Sequence, residues 1–164
     1  MPRDIMWAPW RMGYVTGAEG RTVGGCIFCD LPAQKDDRAV YILHRGRLAY
    51  VIMNRFPYNN GHLMVVPFAH VASLTDLEPE AASELMAFAR RSQSVVQQAM
   101  GPHGFNVGMN QGSAAGAGIE EHLHLHLVPR WVGDTNFMPA IGDTRVMPQH
   151  LDDTYALLER GFAA

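Results

Sequence analysis

Three histidines alternate with leucines in Glu121-His122-Leu123-His124-Leu125-His126-Leu127-Val128-Pro129-Arg130. Alternation with a period of two is the signature of a β-strand, so the three imidazoles fall on one face and the leucines on the other. Same-face neighbours on a strand stand ~7 Å apart. The leucine face suits a core, whereas a row of imidazoles covers apolar surface poorly. Three readings compete. The histidines could be solvated side chains of a half-exposed strand. A His-x-His pair could direct two nitrogens at one cation. A neutral imidazole could attack phosphorus to give a phosphoramidate, splitting one hard displacement into two easier ones. Imidazole chemistry near neutral pH serves either of the last two.

Two other stretches carry chemistry. Cys26-Ile-Phe-Cys29 has the C-x-x-C spacing. A redox pair of that spacing usually opens a helix after a strand, and no strand is expected before this one. A zinc knuckle suits it better, but structural zinc takes four ligands, so two must come from elsewhere. Asn110-Gln-Gly-Ser-Ala-Ala-Gly-Ala-Gly118 runs directly into the histidine stretch. Its glycines let backbone N–H groups approach an anion closely, so it is a candidate phosphate cradle.

The elements that must position these groups read as short strands around one long helix. Residues 39–43 and 48–53 are β-rich runs around His44-Arg-Gly-Arg47, which predicts a hairpin. Asn54 to Gly61 is a turn-rich loop, and Leu63 to Val66 a further strand stopped by Pro67, with His62 at its start and His70 just beyond. Thr75-Asp-Leu-Glu78 has capping-box spacing ahead of Pro79, predicting a helix to about Met100 that Gly101-Pro102 ends. Leu85, Phe88, Ser92, Val95, Val96 and Ala99 form its apolar stripe. Residues 105–109 predict a strand, and residues 148–162 a terminal helix. Trp7, Pro9 and Trp10 mark residues 1–25 as an extended arm, leaving 26–164 as the single domain.

The bulk properties narrow the function. The 164 residues are 48% hydrophobic and 18% charged, which is globular composition. A net charge of −3 argues against a nonspecific grip on nucleic acid but allows a local anion pocket. No apolar run reaches the ~18 residues of a membrane span, and the first residues lack a hydrophobic signal core. A cytoplasmic protein with no membrane or nucleic-acid partner is expected.

Taken together these residues resemble a known family. His122-Leu-His-Leu-His-Leu-Val128 has the His-φ-His-φ-His-φ-φ pattern of the histidine triad (HIT) nucleotide hydrolases and transferases. Asn54 to Pro67 resembles that family's nucleotide-binding hairpin. Pro102 to Asn110 and Pro129 to Phe137 resemble the bacterial diadenosine tetraphosphate phosphorylases and the fragile-histidine-triad-like dinucleoside polyphosphate hydrolases. The likeness covers roughly residues 26–160.

The resemblance implies an α+β HIT-like fold, an antiparallel sheet with one long helix and a C-terminal helix, paired as a homodimer. It implies that His124 is the nucleophile, forming a covalent adenylyl-imidazole released by inorganic phosphate or water, and that His126 meets the phosphates. Asn54 would meet the ribose, and His62 matches the histidine that opens the same strand in the family. Asn110 and Trp131, in the branch-specific stretches, join the substrate contacts. Some members hold structural zinc through residues matching Cys26, Cys29, His70 and His122; no organic cofactor is expected. The family usually places a Gln, Ser or Thr just before the triad. This chain has Gly116, Ala117 and Gly118 there, so backbone N–H groups would serve instead. The implied activity is phosphorolysis of diadenosine tetraphosphate to ADP and ATP. The alternatives are hydrolysis of dinucleoside polyphosphates or nucleoside phosphoramidates, and nucleotide binding without catalysis.

Overall fold

The structure, a computed structural model, describes residues 25–134 and 147–163. The tryptophan arm and the stretch 135–146 lie outside them. Five strands, β1 (Ile42–Arg45), β2 (Ala49–Met53), β3 (Leu63–Pro67), β4 (Gly104–Met109) and β5 (Leu125–Arg130), form one antiparallel sheet in the order β1-β2-β3-β5-β4. Among the described residues three helices accompany it: α1 (Ile27–Ala33), α2 (Pro79–Met100) and α3 (Leu151–Ala163). This is the expected α+β architecture. No helix among the described residues is long and apolar enough to cross a membrane.

Period-two patterning sorts the side chains to two faces. Ala49, Val51, Met53, Leu63, Val65, Leu125 and Leu127 share a core with Leu85, Ala89, Val95 and Val96 of α2. Tyr50, Ile52, Met64 and Val66 point the other way and pack with Phe28 of α1. In α2 the buried stripe is Ala81, Leu85, Ala89, Ser92, Val95 and Val96, with Phe88 and Ala99 at its half-buried margins. Gly101 ends the helix in the left-handed region (φ 58°, ψ 46°), where a glycine pays no Cβ penalty.

Four local expectations shift. The first strand starts at Ile42, because residues 36–41 close a turn: Asp36 Oδ1 accepts the Ala39 N–H at 3.1 Å, and Tyr41 sits at φ 61°. The capping box does not form. Pro79 holds Glu78 extended (ψ 139°), and Ser73 instead caps a short 3-10 turn, Leu74–Asp76. The ladder of the histidine strand begins only at Leu125, so His122 and His124 lie in the segment leading into it. Finally, Cys26 sits at the N-cap of α1, a helix the sequence reading left out. That helix covers the histidine face, which is why His122 and His124 are only 0% and 4% exposed.

Candidate active site and metal cluster

β5 is the central support. Its pairing with β3 sets Met64 opposite His126, and its pairing with β4 sets Gly108 opposite the same histidine. A side chain at Gly108 would meet nothing within 4 Å, so the sheet face beside His126 has room next to the imidazoles. The β4–β5 ladder ends at the pair Met109 and Leu125, so Asn110 and His124 both lie directly beyond the same end of it.

Hydrogen bonds assign the protons of the imidazoles. His124 Nδ1 lies 2.8 Å from the carbonyl oxygen of His122. A carbonyl only accepts, so Nδ1 carries the hydrogen and Nε2 keeps the lone pair. Burial pushes the His124 pKa below the ordinary imidazole value, which keeps the ring neutral near pH 7. A second chain of bonds runs through His62. The Tyr58 N–H donates to His62 Nδ1 at 3.0 Å, and Asn54 Nδ2 stands 3.3 Å from the same atom. His62 Nε2 therefore carries the hydrogen and donates it to His126 Nδ1 at 3.0 Å. That leaves the His126 hydrogen on Nε2. The rings of His124 and His126 meet edge-on, centroids 4.8 Å apart, and Tyr58 stacks on His126 and lies tilted against His62. One imidazole offers a lone pair and its neighbour offers an N–H, the pairing a nucleophilic displacement at a phosphoryl group needs.

The other candidates divide. Asn54, His62, His124 and His126 come together, but the Asn54 oxygen also accepts the Phe56 N–H at 2.9 Å. Gly116, Ala117 and Gly118 lie in the loop entering the triad. The Gly116 N–H bonds Ser113 at 2.9 Å and the Ala117 N–H points to the Gly112 oxygen at 3.4 Å, both within the loop. Trp131 follows the far end of β5, about 17 Å from His126 along the strand. Its N–H donates to Asp134.

The remaining triad histidine joins a separate cluster. Cys26, Cys29, His70 and His122 hold their ligand atoms within 4.8 Å of one another. His122 Nδ1 lies 3.3 Å from Cys26 Sγ, 3.6 Å from Cys29 Sγ and 3.2 Å from His70 Nδ1, and His70 Nδ1 lies 3.4 Å from Cys29 Sγ. Metal–sulfur and metal–nitrogen lengths of ~2.3 and ~2.0 Å in a tetrahedron give ligand separations of roughly 3.3–3.8 Å, so the set fits one tetrahedral cation. His122 Nε2 donates to the Pro67 carbonyl at 2.9 Å, which turns the Nδ1 lone pair into the cluster. Burial and the neighbouring Cys26 raise the Cys29 thiol pKa.

Sequence reasoning missed two contributors. Phe28, between the two cysteines, packs on His122 and His124 with centroids 5.5 and 4.9 Å away. Tyr58 was only part of a loop rich in turn residues; once His62 is placed, an aromatic four residues before it is the signal that could have found it. Arg130, by contrast, is held by Asp134 through two bonds and by Asn106 through a third.

Comparison with known proteins decides the family: residues 34–132 match the HIT domain family. The chain belongs to the HIT family. This HIT protein is 42% identical over 164 residues to an AP-4-A phosphorylase of Mycobacterium tuberculosis, spanning 96% of this chain and 84% of that protein. It is 30% identical over 93 residues to the asymmetrical bis(5'-nucleosyl)-tetraphosphatase of Schizosaccharomyces pombe, spanning 57% of this chain and 50% of that one. Among solved structures it is similar to a zinc-bound histidine triad family protein of Mycobacterium smegmatis. The TM-score is 0.68 at 27% identity, over 85% of this chain and 94% of the other. The matched family span begins after Cys29, so two of the four clustered ligands lie outside it.

Proposed function

We propose that this HIT protein cleaves diadenosine tetraphosphate by phosphorolysis, with His124 as nucleophile. The observation that carries the reading is the pinned tautomer of His124, neutral by burial and presenting Nε2. The 42% identity to an AP-4-A phosphorylase supports the substrate and the acceptor. Nε2 attacks the α-phosphorus, the N–P bond forms, and the bond from that phosphorus to the bridging oxygen breaks to release ATP. The imidazole gains positive charge as it is adenylylated, and its Nδ1–H bond to the His122 carbonyl strengthens in response. The His126 N–H donates to the oxygen that becomes negative. Inorganic phosphate then attacks the adenylyl group, the N–P bond breaks, and ADP leaves with His124 restored. In this reading Asn54 meets the ribose and Asn110 and the Gly118 backbone face the phosphates, while the Gly116 and Ala117 N–H groups, bonded within the loop, hold its turn, and Trp131 reaches only the distal end of a long substrate.

Cys26, Cys29, His70 and His122 hold structural zinc in this reading, supported by their spacing and by the zinc-bound structural relative. Zinc there would bind the four ligands and take no part in the displacement. The domain runs from Cys26, since the N-cap Cys26 and Cys29 in the first turn of α1 supply two ligands. The paired reduced cysteines suit a cytoplasmic location. The edge strand β4, with Val107 exposed, supports a homodimer.

Incubating purified protein with diadenosine tetraphosphate, with and without inorganic phosphate, tests the function. ADP plus ATP formed only with phosphate is expected. AMP plus ATP regardless of phosphate would make the protein a hydrolase on the same scaffold, and no product over hours would leave a nucleotide-binding protein or a phosphoramidase. His124→Ala should abolish turnover and the covalent adenylate; wild-type activity in that variant would overturn the mechanism.

A further inference from the structure

We propose that Phe28 is a positioning residue for His124, so that the Cys26–Cys29 ligand turn and the reacting imidazole are mechanically one unit; this rests on the nucleophile reading above. A single Nδ1–H bond to the His122 carbonyl fixes which nitrogen reacts, but it leaves the ring free to tilt about that bond. Something must hold the ring's face. Phe28 lies against it at 4.9 Å between centroids, tilted 44°, and also meets His122. Phe28 is 1% exposed and packs among Ile42, Tyr50, Ile52, Met64 and Val66.

Phe28 is itself anchored through its main chain. The buried Tyr50 hydroxyl donates to the Phe28 main-chain carbonyl at 2.7 Å. Arg45 secures the far end of α1 by donating to the carbonyls of Pro32 and Gln34 at 2.8 and 3.3 Å. On either side of Phe28 stand Cys26 and Cys29, two members of the four-ligand cluster. The other restraint on His124, the His122 carbonyl, belongs to a third member. The His126 ring meets His124 edge-on at 4.8 Å, but the hydrogen bond on Nδ1 and the apolar cover of the ring come from the cluster or from the residue between its thiols. A cation bound there would tighten the reacting ring without touching substrate.

Phe28→Ala and Phe28→Leu, with Tyr50→Phe as a variant that loosens the same segment and spares every ligand, test this. Four quantities are read on folded protein: metal per chain, AMP affinity, the single-turnover rate of covalent adenylyl formation from diadenosine tetraphosphate, and the ring nitrogen chemical shifts of His124. The expected result keeps metal and AMP affinity and slows the covalent step by about tenfold to a hundredfold in Phe28→Ala. Phe28→Leu recovers part of the rate, and the two His124 nitrogen signals shift and broaden as the ring samples more than one tilt. A purely packing role predicts lower stability with an unchanged covalent step and unchanged shifts, and that outcome in metal-replete Phe28→Ala overturns the proposal. Should Phe28→Ala lose its metal or its fold, Phe28→Leu and Tyr50→Phe are judged by the same criterion. If the wild type forms no covalent adenylate, the reaction assigned to His124 fails, and the ring shifts alone decide whether Phe28 positions it.

Discussion

Each imidazole of the triad has its proton assigned, directly or through His62, by a main-chain group. The His122 carbonyl sets His124, the Pro67 carbonyl sets His122, and the Tyr58 N–H sets His62 and through it His126. Main-chain atoms do not titrate, so these assignments survive changes in pH that would rearrange a network of acids. The chain through His62 gives a prediction at this scale. His62→Leu removes the donor to His126 Nδ1 and the Nδ1 acceptor of the Tyr58 N–H. His126 can then move its hydrogen to Nδ1 and lose the Nε2–H that the proposed mechanism assigns to the departing oxygen. Steady-state kinetics on diadenosine tetraphosphate should show kcat down by about 10²-fold, with KM much less affected. His62→Gln, whose amide can still donate to His126, should recover part of the loss. An unchanged kcat in His62→Leu would mean that His126 does not depend on His62.

At the scale of elements, the four-ligand cluster joins three segments distant in sequence: the start of α1, the turn after β3 and the approach to β5. None of these has a ladder of its own at that point. A cation bound only by the folded protein stabilises it by mass action, by about 2.7–4.1 kcal/mol when free zinc stands at roughly 100 to 1,000 times its Kd. Urea unfolding should show chelation lowering the midpoint of the wild type, whereas Cys26→Ser should start low, hold less metal and ignore the chelator. Equal midpoints in all four samples would remove the structural role. The elements were legible in the sequence wherever one local rule dominated: the triad's alternation, the stripe of α2 and the glycine at 101. They were not legible where two rules competed. Pro79 overrode the capping box by forcing Glu78 extended, and Asp36 turned an apolar run into a loop until Ile42. The short helix α1 has too few residues for a periodic signal, so Phe28 and the cover it gives the histidine face could not be read. The ligand set was legible only through the family resemblance, since C-x-x-C by itself names two ligands of four.

For the molecule as a whole, β1, α2 and α3 meet at one histidine away from the site. His44 stacks on Phe162 of α3 and meets the edge of Phe88 of α2. Arg91 donates to His44 Nε2 at 3.3 Å while its other nitrogen holds the Phe162 carbonyl at 2.7 Å. Nε2 is therefore the acceptor and the folded ring is neutral. Adding a proton there would set it against the Arg91 guanidinium. Burial first, and then Arg91, push the His44 pKa below its ordinary value of 6.5, with Glu84 opposing them. The unfolded chain thus binds this proton more readily than the folded one. Stability contributed by neutral His44 is fully present above pH 6.5, falls as pH drops through that value, and levels off once the folded ring also protonates. His122 and His124 shift in the same direction, so the wild type alone cannot isolate the effect. The comparison that does so is the urea midpoint of wild type and His44→Gln, measured from about pH 8 to pH 5. The variant should be less stable at pH 8 and lose less on acidification, so that the two curves converge. Parallel curves would mean that the packing of α3 onto the sheet does not depend on the charge of His44.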